Sequence, residues 1–264
     1  MAALLPLFIT SCTNDDANVT TTPQKDQVVT LSAGITRAGE SGTGFANGDK
    51  VKITNVTRAE KGLPYSSVIG EFNGSSWDFG TQVLLWCVGI NNTFRAVYPA
   101  DADYSSLPTN QSAEYTFNSL SKWTTCEKTI EWSESVNTSE PLRFDLKSPY
   151  AMVVVEVSIT GSIDYEFYFI TNGNSLITPN KNNSTYQAIL PAGDYSNGSK
   201  QVVSIKENST KNEKKYILPS GISGFEAGKK YTFNLSIDAS SSYSGAATRS
   251  AAPNNLTLVS VEPM

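Results

Sequence analysis

Short stretches in which apolar and polar residues alternate recur along most of the chain. In the first, Val29, Leu31, Ala33 and Ile35 share one face of a predicted strand at 27–36, with polar or small residues between them. Similar stretches follow at 50–56, 66–72, 82–89, 93–98, 113–117, 141–146, 151–160, 163–170, 185–190, 201–206, 215–218, 230–237 and 256–262. Clusters of Gly, Asn, Ser and Pro separate them, and no convincing helix is predicted. The pattern indicates an all-β chain built as a β-sandwich.

A change of pattern divides the chain near residue 145. Residues 123–140 are polar and rich in turn formers, and the strongest β run, MVVVEVSI, starts at Met152. Its first residues are apolar on both faces, which predicts a central strand, with Glu156 toward an edge or rim. We therefore predict an N-terminal domain at 27–145 and a C-terminal domain at 146–264. Residues 239–255 are rich in Ser and Ala and predict a flexible linker, so 239–264 would form a mobile C-terminal strand.

The N-terminus has the pattern of an export signal. Residues 1–10 are apolar but too short to span a bilayer, which is typical of a signal-peptide core. The following Ile9-Thr10-Ser11-Cys12 looks like a bacterial lipobox, which makes 1–12 a lipoprotein signal peptide and Cys12 the lipidated residue. An ordinary secreted protein with a chance cysteine is the alternative. Residues 13–26 are polar and predict a flexible tether.

Composition excludes several classes of function. The chain has no histidine, which rules out Ser-His or Cys-His catalysis and a His-based metal site. A net charge of -5 argues against nucleic-acid binding. Ser119 and Lys122 match the S-x-x-K pattern of serine acyl enzymes, but no helix is predicted around them and no K-T-G follows. No carboxylate pair stands out and no phosphate loop is present, so we expect no enzyme activity, cofactor or metal.

Aromatic residues near predicted turns are the remaining candidates for binding. Trp77, Trp123 and Trp132 could stack on sugar rings, with core packing as the alternative. Two cysteines, Cys87 and Cys126, would lie in an oxidising compartment and could pair, or Cys87 could simply be buried.

Several short motifs, taken in order, give the chain a resemblance to the fimbrillin family, the lipoprotein pilins of type V fimbriae. The motifs are the lipobox at Cys12, Gly34-Ile35-Thr36-Arg37-Ala38, Phe45-Ala46-Asn47-Gly48-Asp49-Lys50-Val51, Phe94-Arg95-Ala96-Val97-Tyr98-Pro99, Pro141-Leu142-Arg143-Phe144, Ala188-Ile189-Leu190-Pro191 and Gly228-Lys229-Lys230-Tyr231-Thr232-Phe233. After Phe144 the chain reads Asp145-Leu146-Lys147, where the family often has a histidine. The resemblance spans nearly the whole chain and implies two transthyretin-like β-sandwich domains in tandem.

The resemblance also implies a mechanism of assembly. In such pilins an arginine-specific protease removes the first strand, and the groove that it leaves accepts a strand from another subunit. Arg37 is the cleavage candidate because it follows the first strand and lies among glycines; Arg58 is the runner-up. The removed strand would carry Val29, Leu31, Ala33 and Ile35. The donor strand would carry Leu256, Leu258 and Val261, unless that strand stays in its own domain.

These expectations define a structural or adhesive subunit of a surface fimbria. Its partners would be other fimbrial subunits and, through the lipid, the outer membrane. The alternative is a surface lipoprotein that does not polymerise and binds glycans or host proteins through exposed aromatics.

Overall fold

The structure is a computed structural model that describes residues 28–37, 44–132, 141–196, 200–238 and 256–264. The predicted signal peptide with Cys12, the tether, and residues 239–255 lie outside the described residues. Strands dominate the rest, so the predicted all-β class is confirmed. The strands are β1 (Leu31–Arg37), β2 (Lys50–Asn55), β3 (Ser67–Phe72), β4 (Trp77–Asp78), β5 (Asn92–Tyr98), β6 (Thr124–Ile130), β7 (Leu142–Leu146), β8 (Tyr150–Thr160), β9 (Tyr165–Ile170), β10 (Leu176–Ile177), β11 (Asn180–Asn182), β12 (Thr185–Pro191), β13 (Gly193–Asp194), β14 (Gln201–Glu207), β15 (Glu213–Ile217), β16 (Gly224–Phe225), β17 (Lys229–Asp238) and β18 (Leu256–Pro263). The helices are α1 (Val56–Glu60) and α2 (Glu114–Lys122).

The N-terminal half, from β1 to β7, is a sandwich of unequal sheets. Five antiparallel strands in the order β4-β3-β2-β5-β6 form one layer, and the parallel pair β1-β7 forms the other. Alternate residues of β7, namely Leu142, Phe144 and Leu146, are buried and face the large sheet. Within the described ranges the small layer therefore depends on two strands, one of which is β1.

The C-terminal half, from β8 to β18, is a sandwich of two larger sheets. Its layers have the orders β11-β12-β8-β17-β18 and β10-β9-β14-β15. Buried side chains from both layers, such as Val153, Phe169, Val203 and Phe233, share one core. β8 lies in the middle of its sheet and Glu156 is exposed, as the apolar pattern predicted. The two halves thus have separate cores, and their division into domains near residue 145 stays a prediction.

A third, smaller cluster joins the two halves. Its buried members are Phe117 and Leu120 on α2 and Ile189 on β12, with Tyr150 and the C-terminal Met264 packed against them. On the helix, Phe117 and Leu120 are three residues apart and so share the face that packs on the C-terminal half. We call this cluster the joint.

The amide of Gln111 fixes the joint. The side chain is fully buried; its Oε1 accepts from the Ile189 N–H at 2.8 Å, and its Nε2 donates to the Ile189 carbonyl at 2.9 Å. The backbone N–H of Gln111 also donates to the Thr178 carbonyl at 2.8 Å. Since a buried peptide group without a partner is costly, this amide ties the connecting segment firmly to the C-terminal sheet.

The structure corrects three sequence predictions. Residues 113–117 were predicted as a strand, but from Glu114 they belong to α2, so Ser119 and Lys122 do lie on a helix. Residues 82–89 form no regular strand; Leu85 makes only an isolated bridge to Val28. Residues 124–130, predicted as polar turns, form β6, because Thr and Ile suit the edge of a half-exposed sheet.

Candidate assembly site at the first and last strands

The first strand is held in the N-terminal core by backbone pairing with β7. Leu31 lies opposite Leu142, Ile35 opposite Phe144 and Arg37 opposite Leu146. The register shifts between Leu31 and Ile35, so the uniform alternation predicted for 27–36 is interrupted. The Leu142 N–H donates to the Thr30 carbonyl at 2.9 Å. β1 is thus the only hydrogen-bonded neighbour of β7 in its sheet, within the part of the chain that the structure describes.

Two side chains at the start of this segment enter the core. Val29 is 3% exposed, and Leu31 packs against the same cluster as Leu142 and Phe144. Burying one such side chain stabilises a fold by about 1.5–3 kcal/mol. The side chains of Ala33 and Ile35 lie outside the described part of the structure, and their predicted contacts stay predictions.

A loop at the end of the sandwich away from the joint also holds the first strand. We call the residues that contact this strand, on β7 and in this loop, the seat of the first strand. The Val29 N–H donates to the Leu84 carbonyl at 2.8 Å, and Val28 bridges to Leu85. Two buried asparagines hold this loop: the Asn55 amide donates to the Leu85 carbonyl at 2.9 Å and to Asn92 Oδ1 at 2.7 Å. These side-chain amides replace the strand ladder that the sequence predicted here. We call this end of the sandwich the tip.

The two candidate processing sites lie in different surroundings. Arg37 is the last residue of β1, and the described chain resumes at Gly44. Arg58 lies on α1, where its guanidinium donates to the Pro64 carbonyl and, at 3.1 Å, to the Trp86 carbonyl. A protease must take an extended segment into its cleft, so the helical, hydrogen-bonded Arg58 is the poorer substrate.

The last strand is an edge strand of the C-terminal half. β18 pairs antiparallel with β17, which is its only hydrogen-bonded neighbour among the described strands. Thr232 lies opposite Ser260 and Phe233 opposite Leu258, so Val259 is an extra residue and forms a β-bulge.

The bulge brings the three predicted donor residues onto one face. Leu256, Leu258 and Val261 lie opposite Leu235, Phe233 and Tyr231 in that order, and all three partners are buried core residues. Leu256 is 2% exposed, Leu258 is partly buried and Val261 is 45% exposed. The strand is therefore held most firmly at Leu256 and more loosely toward its C-terminal end.

A cavity lies beside the loosely held end of β18. It measures about 470 Å³, and Leu258, Val261 and Tyr231 line it together with the turn at 221–226. Asp194 and Glu226 also line it. Hydrogen bonds from Ser196 hold the pKa of Asp194 below its usual value, so this carboxylate is charged at neutral pH.

Two other sheet edges are covered by glutamine amides. Gln82 exchanges hydrogen bonds of 2.9 Å with both backbone groups of Ile69 on β3, beyond the end of the short β4. Gln111 does the same for Ile189 on β12. An amide that imitates a peptide group blocks strand addition at these points. β18 is longer, and its exposed Val259 and Val261 make it a better edge for pairing.

The tryptophans proposed for glycan contact lie in the interior. Trp77 is 8% exposed and packs edge-on against Phe45; Trp123 is 6% exposed and stacks on Tyr150 at 5.6 Å. Trp132 is partly buried against Trp86. Trp77 and Trp123 therefore follow the core-packing alternative, since neither ring offers a free face to a sugar.

Cys87, Cys126 and Tyr150 lie within packed parts of the fold. Cys87 is buried and Cys126 partly buried, and both thiols are free. Tyr150 donates its hydroxyl to the Tyr104 carbonyl at the joint, and burial raises the pKa of Tyr150, with a smaller contribution from the nearby Asp103. Within the described ranges, neither helix is long and apolar enough to cross a bilayer.

No protein-family model matches the sequence, and no curated protein matches it significantly. Among solved structures, the fold is similar to one from Bacteroides ovatus, with 13% identity over 89% of this chain and 98% of that chain and a TM-score of 0.51. It is also similar to one from Bacteroides uniformis, with 12% identity, the same coverage and a TM-score of 0.50. Both are described as a "putative cell adhesion protein".

A third similar structure is that of the tip fimbrial protein Mfa3 from Porphyromonas gingivalis, with 9% identity, 83% and 95% coverage and a TM-score of 0.34. The first two comparisons show that this chain shares the fold of those proteins over nearly its whole length. At such low identity they show the fold alone.

Proposed function

We propose that this chain is a structural subunit of a bacterial surface fimbria, assembled by removal of the first strand and exchange of the last one. The observation that carries the proposal is the seating of β1: it supplies the second strand of a two-stranded layer and lies at one end of the described chain. The resemblance to fimbrillins supports it, and so does the description of the two fold neighbours as cell adhesion proteins.

Removal of β1 would leave an open groove beside β7 in the N-terminal half. The backbone of β7 would lose its partner in the sheet, and the pockets of Val29 and Leu31 would open beside Leu142. Unpaired edges and exposed apolar side chains are both unfavourable, so a complementary strand would bind there by β-augmentation.

β18 has the features of that strand. It is an edge strand with three apolar residues on one face, and only the first of them, Leu256, is fully buried. Release would break one ladder, to β17, and leave the rest of the C-terminal sheet paired. In the groove, Leu256 and Leu258 would occupy the places of Val29 and Leu31.

The ends of the two halves are placed for head-to-tail joining. Leu256 pairs with Leu235, and Asp238 lies opposite Thr160, so both ends of the segment 239–255 leave from the end of the C-terminal sheet away from the joint. Val28 and Val29 enter the N-terminal half at the tip, also away from the joint. A strand reaching out from one end could enter the next subunit at its tip and run parallel to β7, as β1 does.

Several further features complete the proposal. The halves would be two domains divided near residue 145, with Cys12 carrying the lipid that anchors the subunit to the outer membrane before processing. The chain would have no catalytic role. The alternative function was a lipoprotein that does not polymerise and binds glycans through exposed tryptophans. Trp77 and Trp123 do not support it, because both are buried.

An arginine-specific digest of the folded protein tests this function. We expect cleavage after Arg37, seen by intact mass, followed by ordered oligomers in light scattering. Arg37→Ala should remain uncut and monomeric, whereas Arg95→Lys, at an exposed arginine within β5, should behave as the unmodified protein does. A trimmed chain that stays monomeric at all concentrations would contradict the proposal.

A further inference from the structure

The tip carries an exposed apolar patch that the folding of the chain does not explain. Leu63, Tyr65, Val88 and Ile90 are between 38% and 52% exposed. They belong to two neighbouring loops, since the Leu85 N–H donates to the Tyr65 carbonyl at 3.1 Å. We call these four residues the tip patch. Contiguous exposed apolar side chains of this kind mark interaction sites on soluble proteins.

The loops that carry the patch are fixed in place. Arg58 reaches from α1 to the carbonyls of Pro64 and Trp86 and so joins the two loops. The Asn92 amide donates to the Ile90 carbonyl at 2.8 Å. Because the loops are already ordered, little conformational entropy would be lost when a partner binds to them.

Tyr65 adds a sign of strain. Its φ angle is 57°, in the left-handed region that bulky side chains rarely adopt, and its ring is 49% exposed. A residue held in this conformation costs about 1–3 kcal/mol, and such residues cluster at functional surfaces. The conformation leaves about half of this aromatic residue exposed to solvent.

The patch adjoins the seat of the first strand. Leu85 forms a β-bridge with Val28, and its backbone N–H donates to the Tyr65 carbonyl. The backbone of this one residue therefore contacts both the first strand and a loop of the tip patch. A strand that replaces β1 would therefore enter beside the tip patch, and the C-terminal half of the copy that donates this strand would lie next to the patch.

We infer that the tip patch docks the C-terminal half of a second copy of this chain, namely the copy that donates its last strand. This inference rests on the proposed strand exchange. The docking partner is the end of the C-terminal sheet where Asp238 and Leu256 lie. That end offers an apolar residue of its own, since Ile159 is paired with Ile237 there and is 36% exposed. A strand in the groove attaches one segment of the donating copy, and a contact between surfaces would add the second attachment that fixes how the two copies are arranged.

A variant with a polar patch tests the inference. Tyr65→Asn combined with Val88→Ser removes apolar surface at exposed positions, and asparagine tolerates the left-handed conformation better than tyrosine does. The matched control is Tyr115→Asn with Leu176→Ser, which removes one tyrosine and one aliphatic residue that are 82% and 45% exposed and lie outside the tip.

Two readouts separate docking from strand binding. Each protein is trimmed at Arg37; binding of a synthetic peptide with the sequence of residues 256–264 is measured by calorimetry, and assembly is followed by light scattering. We expect the patch variant to bind the peptide as the unmodified chain does but to assemble about tenfold more slowly or more weakly, the loss expected for removal of an interface hot spot. The control pair should assemble normally.

Three other outcomes would overturn the inference in distinguishable ways. Normal assembly of the patch variant would show that the patch is not an interface. Loss of peptide binding in the patch variant alone would show that these residues support the seat of the strand instead of docking a body. If the unmodified trimmed chain neither binds the peptide nor assembles, the proposed function fails and the docking inference fails with it.

Discussion

Asn92 should be the single polar side chain on which the tip depends most. It is fully buried, and its Oδ1 accepts from the Cys87 N–H at 2.7 Å and from the Asn55 amide at 2.7 Å. Its Nδ2 donates to the carbonyls of Cys87 and Ile90 at 2.9 and 2.8 Å. Asn92→Ala therefore removes four hydrogen bonds at once and leaves two buried donors, the Cys87 N–H and the Asn55 amide, without this acceptor.

The expected cost follows from these counts. A buried donor left without a partner costs about 1–3 kcal/mol, so two of them give a loss of about 2–6 kcal/mol in the free energy of unfolding. With a urea dependence of about 3 kcal/mol per molar, the unfolding midpoint should fall by about 0.7–2 M. Loss of the order in this loop should also weaken the seat of Val28 and Val29.

Urea denaturation followed by tryptophan fluorescence measures this change. Asn91→Ala is the matched control, since Asn91 is the neighbouring residue and is exposed; its effect should stay within about 0.5 kcal/mol. A loss below about 1 kcal/mol for Asn92→Ala, or equal losses for the two variants, would refute the reasoning from buried amides.

Three further predictions concern the two cores and the joint. Phe144→Ala should lower the free energy of unfolding by about 3–5 kcal/mol in urea denaturation, because the ring is 1% exposed between the layers of the N-terminal half. Gln111→Ala should speed amide exchange at Ile189, measured by hydrogen exchange, because the N–H loses its acceptor at 2.8 Å; unchanged exchange would contradict the edge-covering role. Burial raises the pKa of Tyr195 above its ordinary 10.0, so the folded state keeps this proton longer than the unfolded state does. Stability should be level below about pH 10 and fall above it, and a urea midpoint that rises from about pH 9 to 11 would show the sign to be wrong.

The sequence predicted strands best where apolar residues alternate over a buried face. β2, β3, β5 and β7 lie within a residue or two of their predicted bounds, because each has one buried and one solvated face. The central position of β8 also followed from its unbroken apolar run.

The failures have local physical causes. Leu84, Leu85 and Trp86 form an apolar run that fits a strand, but their backbone carbonyls accept from three separate groups, the Val29 N–H, the Asn55 amide and the Arg58 guanidinium, which periodicity does not reveal. In α2 only Phe117 and Leu120 are buried, and two apolar residues are too few to predict a helix.

Of the candidate assembly site, the sequence located the strands but not their surroundings. Val29 was predicted on the face of the first strand that packs on the core, and it is buried. Leu256 was predicted as a donor residue on a mobile strand; here it is buried in its own C-terminal half. The bulge at Val259 depends on pairing with β17, so the common face of Leu258 and Val261 could not be read from their spacing of three residues. The tip patch was missed because Tyr65 and Val88 come together only through the fold.

The most direct test of strand exchange is hydrogen exchange at the amides of β7 that donate to the first strand, such as Leu142, whose N–H donates to the Thr30 carbonyl, in three states of the protein. In the intact chain these amides should be protected by β1; after trimming at Arg37 and isolation of the monomer they should exchange freely. On assembly the protection should return. Amides of β7 that stay protected in the trimmed monomer, or that stay unprotected in the oligomer, would contradict the account that this groove loses one strand and gains another.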